Sequence, residues 1–353
     1  MGNYHFPIKI LIKRTLNIKV LIPPPITKKT IDLGAKHSPE FVCVPFKYNL
    51  GNYIETLEKG ANLLLQAGGG CRFGYYGETQ EQILKDLGYE FEFFNLRDSS
   101  GSRIKSAIRV YKRFKNINPK TSLFKVAYNF ILIMKMVEYI DELEDYIRKN
   151  IGFEVIDGSF EKVQKDFLIK LESVNNLKEL KILYNQYRKL LEAIEINKPE
   201  RPLRVGLIGE LYTLMEPFSN YFIEKELAAY GMEVHRFVTL THLVTKRRKD
   251  NDKLAKEASK YVKYHLGAEG TENVAKAKML AEKGFDGLIH TKPFGCMPEV
   301  NAMPMLQKIS KDYKIPILYF SFDSQTSETG IKTRLEAFYD MLVMKNKTEE
   351  KKK

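Results

Sequence analysis

Leu203-Arg-Val-Gly-Leu-Ile-Gly209, followed by Glu210-Leu-Tyr212, is the stretch on which the fold turns. Lys198-Pro-Glu-Arg-Pro202 precedes it. Two prolines within five residues stop any helix arriving from upstream, so this segment reads as a linker. A short apolar run ending in glycine reads as a buried strand turning into a helix. The spacing downstream predicts a helix over 219–230 closed by Gly231 and a strand over 233–239. It then predicts helices over 250–266 and 271–283, a strand over 285–290 and a helix over 302–313. A strand over 315–320 and a helix over 333–342 close the pattern. This βαβα(α)βαβα order is that of a parallel sheet with helices on both faces.

The same alternation recurs nearer the start. Residues 48–60 carry Leu50, Ile54 and Leu57 at helical spacing, and 61–67 form a short apolar strand that runs into Gly68-Gly-Gly-Cys-Arg-Phe-Gly74. Residues 77–87 read as a helix capped by Gly88, and 91–96 as the next strand. Residues 18–25 read as a strand stopped by three prolines, and 27–39 as a polar stretch. Between these regions, 101–198 is lysine-rich and almost free of glycine and proline, with Phe124, Tyr128, Ile131 and Met134 at helical spacing. The expected organisation is an N-terminal α/β lobe over 1–100, a helical segment and linker over 101–200, and a C-terminal α/β lobe over 201–345. A basic tail over 346–353 is expected to be disordered.

Composition narrows the function. With 353 residues, 44% hydrophobic and 29% charged, the chain has the balance of a soluble protein long enough for two cores. The early apolar run over 6–25 is broken by Lys9, Lys13, Arg14 and Lys19, so neither a membrane span nor a signal peptide is expected. A cytoplasmic location is expected. The net charge of +13 is spread over scattered lysines, densest at Lys246-Arg-Arg-Lys249 and in the tail. No aromatic-interleaved recognition motif accompanies it, so nucleic acid is not the expected partner. The charge suits an acidic protein or an anionic substrate such as an acyl-CoA.

Three cysteines carry the chemistry. An odd number argues against a disulfide framework. Cys43 stands in Phe41-Val-Cys-Val-Pro-Phe-Lys47, Cys71 follows three glycines, and Cys296 stands in Lys292-Pro-Phe-Gly-Cys-Met-Pro-Glu299. Glycines such as Gly70 and Gly295 let backbone N–H groups approach a cluster sulfur, and proline stiffens the loop. Lys47, Arg72 and Lys292 would favour the thiolates. Three thiolates can hold a 4Fe–4S cluster with one iron left open. Zinc, with His37 or His290 as a fourth ligand, is a weaker reading because no CxxC pair is present. A cysteine is also often a small buried hydrophobe, which fits Cys43 best. Glu210, Tyr212 and Glu299 are the catalytic candidates. Glu210 could equally cap a helix, Glu299 could be a solvated carboxylate, and His290 could be a packed strand residue.

Cys43-Val-Pro-Phe-Lys47, Gly68 to Gly74, Gly209-Glu-Leu-Tyr212, Pro293 to Glu299 and Thr333-Arg-Leu-Glu-Ala-Phe338 together resemble the motifs of the 2-hydroxyacyl-CoA dehydratase-like superfamily. The likeness runs from about residue 18 to 345 and points to a short branch related to the dehydratase activase and its partners. It implies two doubly wound, flavodoxin- or Rossmann-like lobes facing a central cleft, with one 4Fe–4S cluster held by Cys43, Cys71 and Cys296. It also implies a separate ATP-hydrolysing activase that injects low-potential electrons, in an anaerobic setting. The chain itself has no Walker A sequence, so ATP would act only through that partner. The substrate would be an acyl-CoA or another small molecule. The alternative is a non-catalytic, cluster-bearing scaffold that docks a larger homologous subunit.

Overall fold

Among the described residues the strands form two parallel sheets. The computed structural model describes residues 2–66, 72–96 and 103–350. It divides into a first unit, Tyr4–Lys135, and a second, Met136–Lys353 together with Met1–Asn3.

The first unit begins with three helices: α1 (His5–Leu16), α2 (Lys28–His37) and α3 (Val44–Glu58). The strand expected over 18–25 is not formed, and residues 17–27 belong to no regular element. Pro23, Pro24 and Pro25 have no N–H to give a ladder, and the apolar residues before them find no strand partner among the described residues. Pro7 is tolerated in the first turn of α1, where its missing N–H has no intrahelical partner. The polar stretch over 27–39 is mostly helix α2. Its start is fixed by the Thr27 N–H donating to Thr30 Oγ1 at 3.0 Å. Helices α2 and α3 touch backbone to backbone. A Cβ on Gly34 would lie 1.7 Å from the Lys47 carbonyl oxygen, and one on Gly51 would lie 1.9 Å from that of Thr30. Strand β1 (Leu63–Gln66), helix α4 (Tyr76–Asp86) and strand β2 (Glu92–Asn95) follow. β1 and β2 pair in parallel, with Leu64 opposite Phe93. Phe46, Leu50, Ile54 and Leu57 of α3 pack with Leu64 and Leu84 into the core. Helix α5 (Arg103–Ile117) follows, and the division between units falls within the long α6 (Leu123–Asn150).

The second unit continues with α7 (Ser159–Lys170) and α8 (Leu177–Glu192). Then come β3 (Arg204–Gly209), α9 (Leu211–Met215), α10 (Ile223–Ala229) and β4 (Glu233–Arg236). Helices α11 (Arg247–Ala258) and α12 (Gly270–Glu282), strand β5 (Gly287–Pro293), helix α13 (Met297–Tyr313), strand β6 (Ile317–Phe322) and helix α14 (Glu328–Glu350) complete it. The four strands are all parallel and lie in the order β4-β3-β5-β6. From β3 the chain steps outward to β4, then returns to the other side of β3 as β5. The strand order therefore reverses between β3 and β5, and in open α/β sheets the carboxyl end of that gap is where ligands bind. β5 is buried along its whole length, as a central parallel strand must be. The apolar core gathers Ile208, Ala275, Leu280, Leu288, Leu306 and Ile309 on one face of the sheet.

Candidate functional site

The carboxyl ends of β3 and β5 gather buried polar side chains. Gly209, the last residue of β3, holds φ at +138°, and a Cβ there would stand 1.9 Å from the Thr291 carbonyl oxygen. No side chain fits, so β3 lies flush against β5. Asn273, near the start of α12, spans the junction. Its Oδ1 accepts from the Gly209 N–H at 3.1 Å, and its Nδ2 donates to the Gly209 carbonyl at 3.0 Å. The same Nδ2 lies 2.9 and 3.0 Å from the two oxygens of Glu299. Glu299 Oε2 also meets His290 Nε2 at 2.7 Å. Asn273, His290 and Glu299 are each 0% exposed. A carboxylate so buried needs donors on its oxygens. Asn273 and His290 supply them, and Glu299 occupies the third position of α13, where the helix dipole favours negative charge.

Two further charged groups stand at this edge. Glu210 caps α9: its carboxylate accepts from Tyr212 N–H at 3.0 Å, Thr213 N–H at 2.9 Å and Thr213 Oγ1 at 2.6 Å. Burial pushes its carboxyl above the usual range, and the charge of Glu299 adds to that, while Thr213 and Tyr212 oppose it. Lys292 is buried, with Nζ donating to Ser321 Oγ at 2.6 Å. Burial lowers its ammonium, against the pull of Cys296 and Glu299. Around them the buried His290 Nδ1, Thr291 Oγ1 and Tyr319 hydroxyl have no hydrogen-bond partner among the described residues. Burial pushes the Tyr319 phenol up to about 12.

Cys296 is the N-cap of α13, half-buried, three residues past the end of β5. Its N–H donates to Pro293 O at 3.2 Å and its carbonyl accepts from Val300 N–H at 2.9 Å. Pro298 takes the second helical position, where its missing N–H costs nothing. Cys43 repeats the arrangement in the first unit: it is the half-buried N-cap of α3, with Pro45 at the second position. Its carbonyl accepts from Phe46 N–H at 2.9 Å, and its Sγ lies 2.7 Å from the Tyr76 hydroxyl. The Tyr76 ring meets the fully buried Phe46 edge-on, with centroids 4.9 Å apart. Gln80 Nε2 donates to the Phe46 carbonyl at 3.1 Å, and Gln66, the last residue of β1, donates to Gln80 at 3.2 Å. A helix N-terminus favours thiolate, and thiolate is the soft ligand that iron–sulfur clusters select, so each half-buried sulfur is a fit donor for cluster iron.

The other expected residues are placed as follows. Lys47 lies in the first turns of α3, its backbone against Gly34. Tyr212 is buried in α9, and Gly295 holds φ at +71° immediately before Cys296. Gly70 and Cys71 lie outside the described residues, as does the side chain of Arg72. Among the described residues no three His, Cys, Asp or Glu side chains are grouped as a metal site. Asn273, Tyr76, Gln80 and Ser321 were not singled out from the sequence. Each is a common polar residue whose importance lies in a partner 25 or more residues away, and nothing local in the chain marks it.

Among the described residues no helix is long and apolar enough to cross a membrane. Residues 97–342 match the family described as 2-hydroxyglutaryl-CoA dehydratase, D-component. The match spans more than half of the chain, and it contains Cys296 but not Cys43 or Cys71. No curated protein matches the chain.

Proposed function

Because the chain belongs to the 2-hydroxyglutaryl-CoA dehydratase D-component family, we propose that it is an iron–sulfur component of a low-potential reductase or dehydratase system. In this reading Cys43, Cys71 and Cys296 are the ligands of one 4Fe–4S cluster. The observation that carries this reading is the matched pair of cysteine caps. Cys43-Val-Pro and Cys296-Met-Pro each place a half-buried sulfur at the start of a helix, where thiolate is favoured. When bound, such a cluster supplies electrons at low potential and, at the iron without a protein sulfur, a Lewis-acid position for a substrate oxygen.

The chain's own residues do the rest. Lys292, near Cys296, offsets thiolate charge, and the Tyr76 hydroxyl lies 2.7 Å from Cys43 Sγ. In the sequence Lys47 stands four residues after Cys43 and Arg72 directly follows Cys71. Glu210 spends its oxygens on the N–H groups of α9, so that helix start does not compete for a phosphate of nucleotide or CoA. ATP is hydrolysed on a separate activase, and the substrate is an acyl-CoA or another small molecule bound at the carboxyl edge of β3 and β5. Anaerobic reconstitution should give a brown protein with about four irons per chain and an electron-paramagnetic signal on dithionite reduction. A colourless, iron-free chain after reconstitution defeats the reading.

A second reading, a cluster-bearing docking subunit of a larger homologue, is favoured by α6, which leaves Leu123, Phe124, Tyr128 and Ile131 exposed. Turnover by this chain with activase and reductant, in the absence of any homologue, excludes it.

A further inference from the structure

We propose that Glu299 is a positioning residue: through its reach to Asn273 and His290 it fixes the first turn of α13, and so the sulfur of Cys296, onto the end of the sheet. The inference rests on the proposed role of Cys296 as a ligand. In a common helix start, a glutamate at the third position turns back to the N–H of the N-cap residue. Glu299 holds that position relative to Cys296, but its carboxylate goes inward to Asn273 Nδ2 and His290 Nε2. Asn273 is itself bound by two hydrogen bonds to the backbone of Gly209, and His290 is part of β5, paired with Ile208 and Tyr319 on either side. One side chain thus joins the helix that begins at Cys296 to β3, α12 and β5 together.

The other ties on this turn run through the backbone: the Phe294 N–H donates to the Phe322 carbonyl at 2.8 Å, and the Pro298 carbonyl lies 2.6 Å from where a Cβ on Gly270 would stand. The Cys296 N–H donates to the Pro293 carbonyl at 3.2 Å, and its carbonyl accepts from the Val300 N–H at 2.9 Å. Phe294 and Met297 on either side are largely exposed, so they contribute little apolar hold. Gly295, immediately before the sulfur, is the residue type that resists twisting least. A ligand to a cluster must be held within a few tenths of an ångström, and that precision comes from the groups behind it. Behind Cys296 the fully buried group in its own helical turn is Glu299.

Positioning by reach and influence by charge make opposite predictions for two variants. Glu299→Gln keeps the length and an oxygen for Asn273, but removes the charge. Glu299→Asp keeps the charge and shortens the reach by one methylene. Hydrogen exchange is measured on the full chain without iron, comparing the segment 294–303 with strand β6. Positioning predicts that Glu299→Asp accelerates exchange in 294–303 by about tenfold with β6 unchanged, while Glu299→Gln stays within about twofold of the native chain. Iron retained after anaerobic reconstitution should fall for Glu299→Asp and hold for Glu299→Gln. The reverse order, or acceleration spread evenly over the unit, overturns the proposal. A native chain that takes up no iron, with the exchange pattern as expected, overturns the cluster reading and leaves the hold of Glu299 on Cys296 standing. Glu299→Ala is not needed for the test, so a variant that fails to fold does not blunt it.

Discussion

Cys43-Val-Pro-Phe46 and Cys296-Met-Pro-Glu299 start helices by the same rule and secure them in opposite media. In both, cysteine is the N-cap, proline sits at the second helical position, and the third side chain is fully buried. Phe46 goes into an apolar core against the edge of Tyr76. Glu299 goes into a dry polar network with Asn273 and His290. The cap is local and uses the backbone's own needs, so four residues suffice to write it. What holds it in place is tertiary, and either dispersion or hydrogen bonding can do that work if the third residue matches its surroundings. The two differ in kind: an apolar hold tolerates imperfect geometry, whereas a buried carboxylate requires every donor in place.

The comparison can be broken from either side. Phe46→Ala should cost about 4 kcal/mol, the usual loss for emptying a buried aromatic site. Chemical denaturation followed in the first unit checks it. Glu299→Ala should cost about 3 kcal/mol, because it leaves Asn273 Nδ2 and His290 Nε2 buried without their carboxylate. The same measurement in the second unit reads it, and a neutral result would show that the network is ornamental. Tyr76→Phe should cost about 1 kcal/mol by removing a hydrogen bond to sulfur. It should also slow alkylation of Cys43 about threefold at neutral pH by withdrawing a donor from the thiolate, with Cys296 unaffected as the internal control.

The smallest effect sharpens the contrast through pH. Glu210 has a folded pKa raised above its unfolded value. The folded state therefore holds that proton more tightly, and the associated stability is present at acid pH and lost as pH rises through the unfolded value toward the folded one. Glu210→Gln should flatten this slope in the second unit. Measured denaturation midpoints between pH 4 and 7, about one carboxylate range, check the sign. A slope of the opposite direction would mean that Thr213 and Tyr212 outweigh burial.

Much of the second unit is readable from its residues. β3, β5 and β6 are short apolar runs bounded by glycine or proline, and the parallel order follows from their alternation with helices. The first unit is less so. Ile18 to Pro25 has strand composition but no strand to pair with among the described residues, and composition says nothing about neighbours. The segment over 27–39 reads as polar because the residues of α2 that pack, Thr30, Ile31 and Gly34, are mostly small. The basic run at the end is not separate from the closing helix either, since α14 continues to Glu350. In the site, Glu210, Glu299 and His290 can be suspected from their motifs. Their dull readings prove partly apt: Glu210 does cap α9, and His290 is packed within a strand. Asn273 is invisible in the chain because its meaning depends on Gly209, 64 residues away.

The contact between Gly34 and Gly51 has a mechanical consequence. With carbonyl oxygens of the facing helix less than 2 Å from where a Cβ would go at either position, α2 and α3 cannot slip past or rotate against each other without first parting. Residues 28–58 therefore behave as a single stiff block, whose amides should open to solvent in unison. Cys43, the N-cap of α3, stands at the edge of that block.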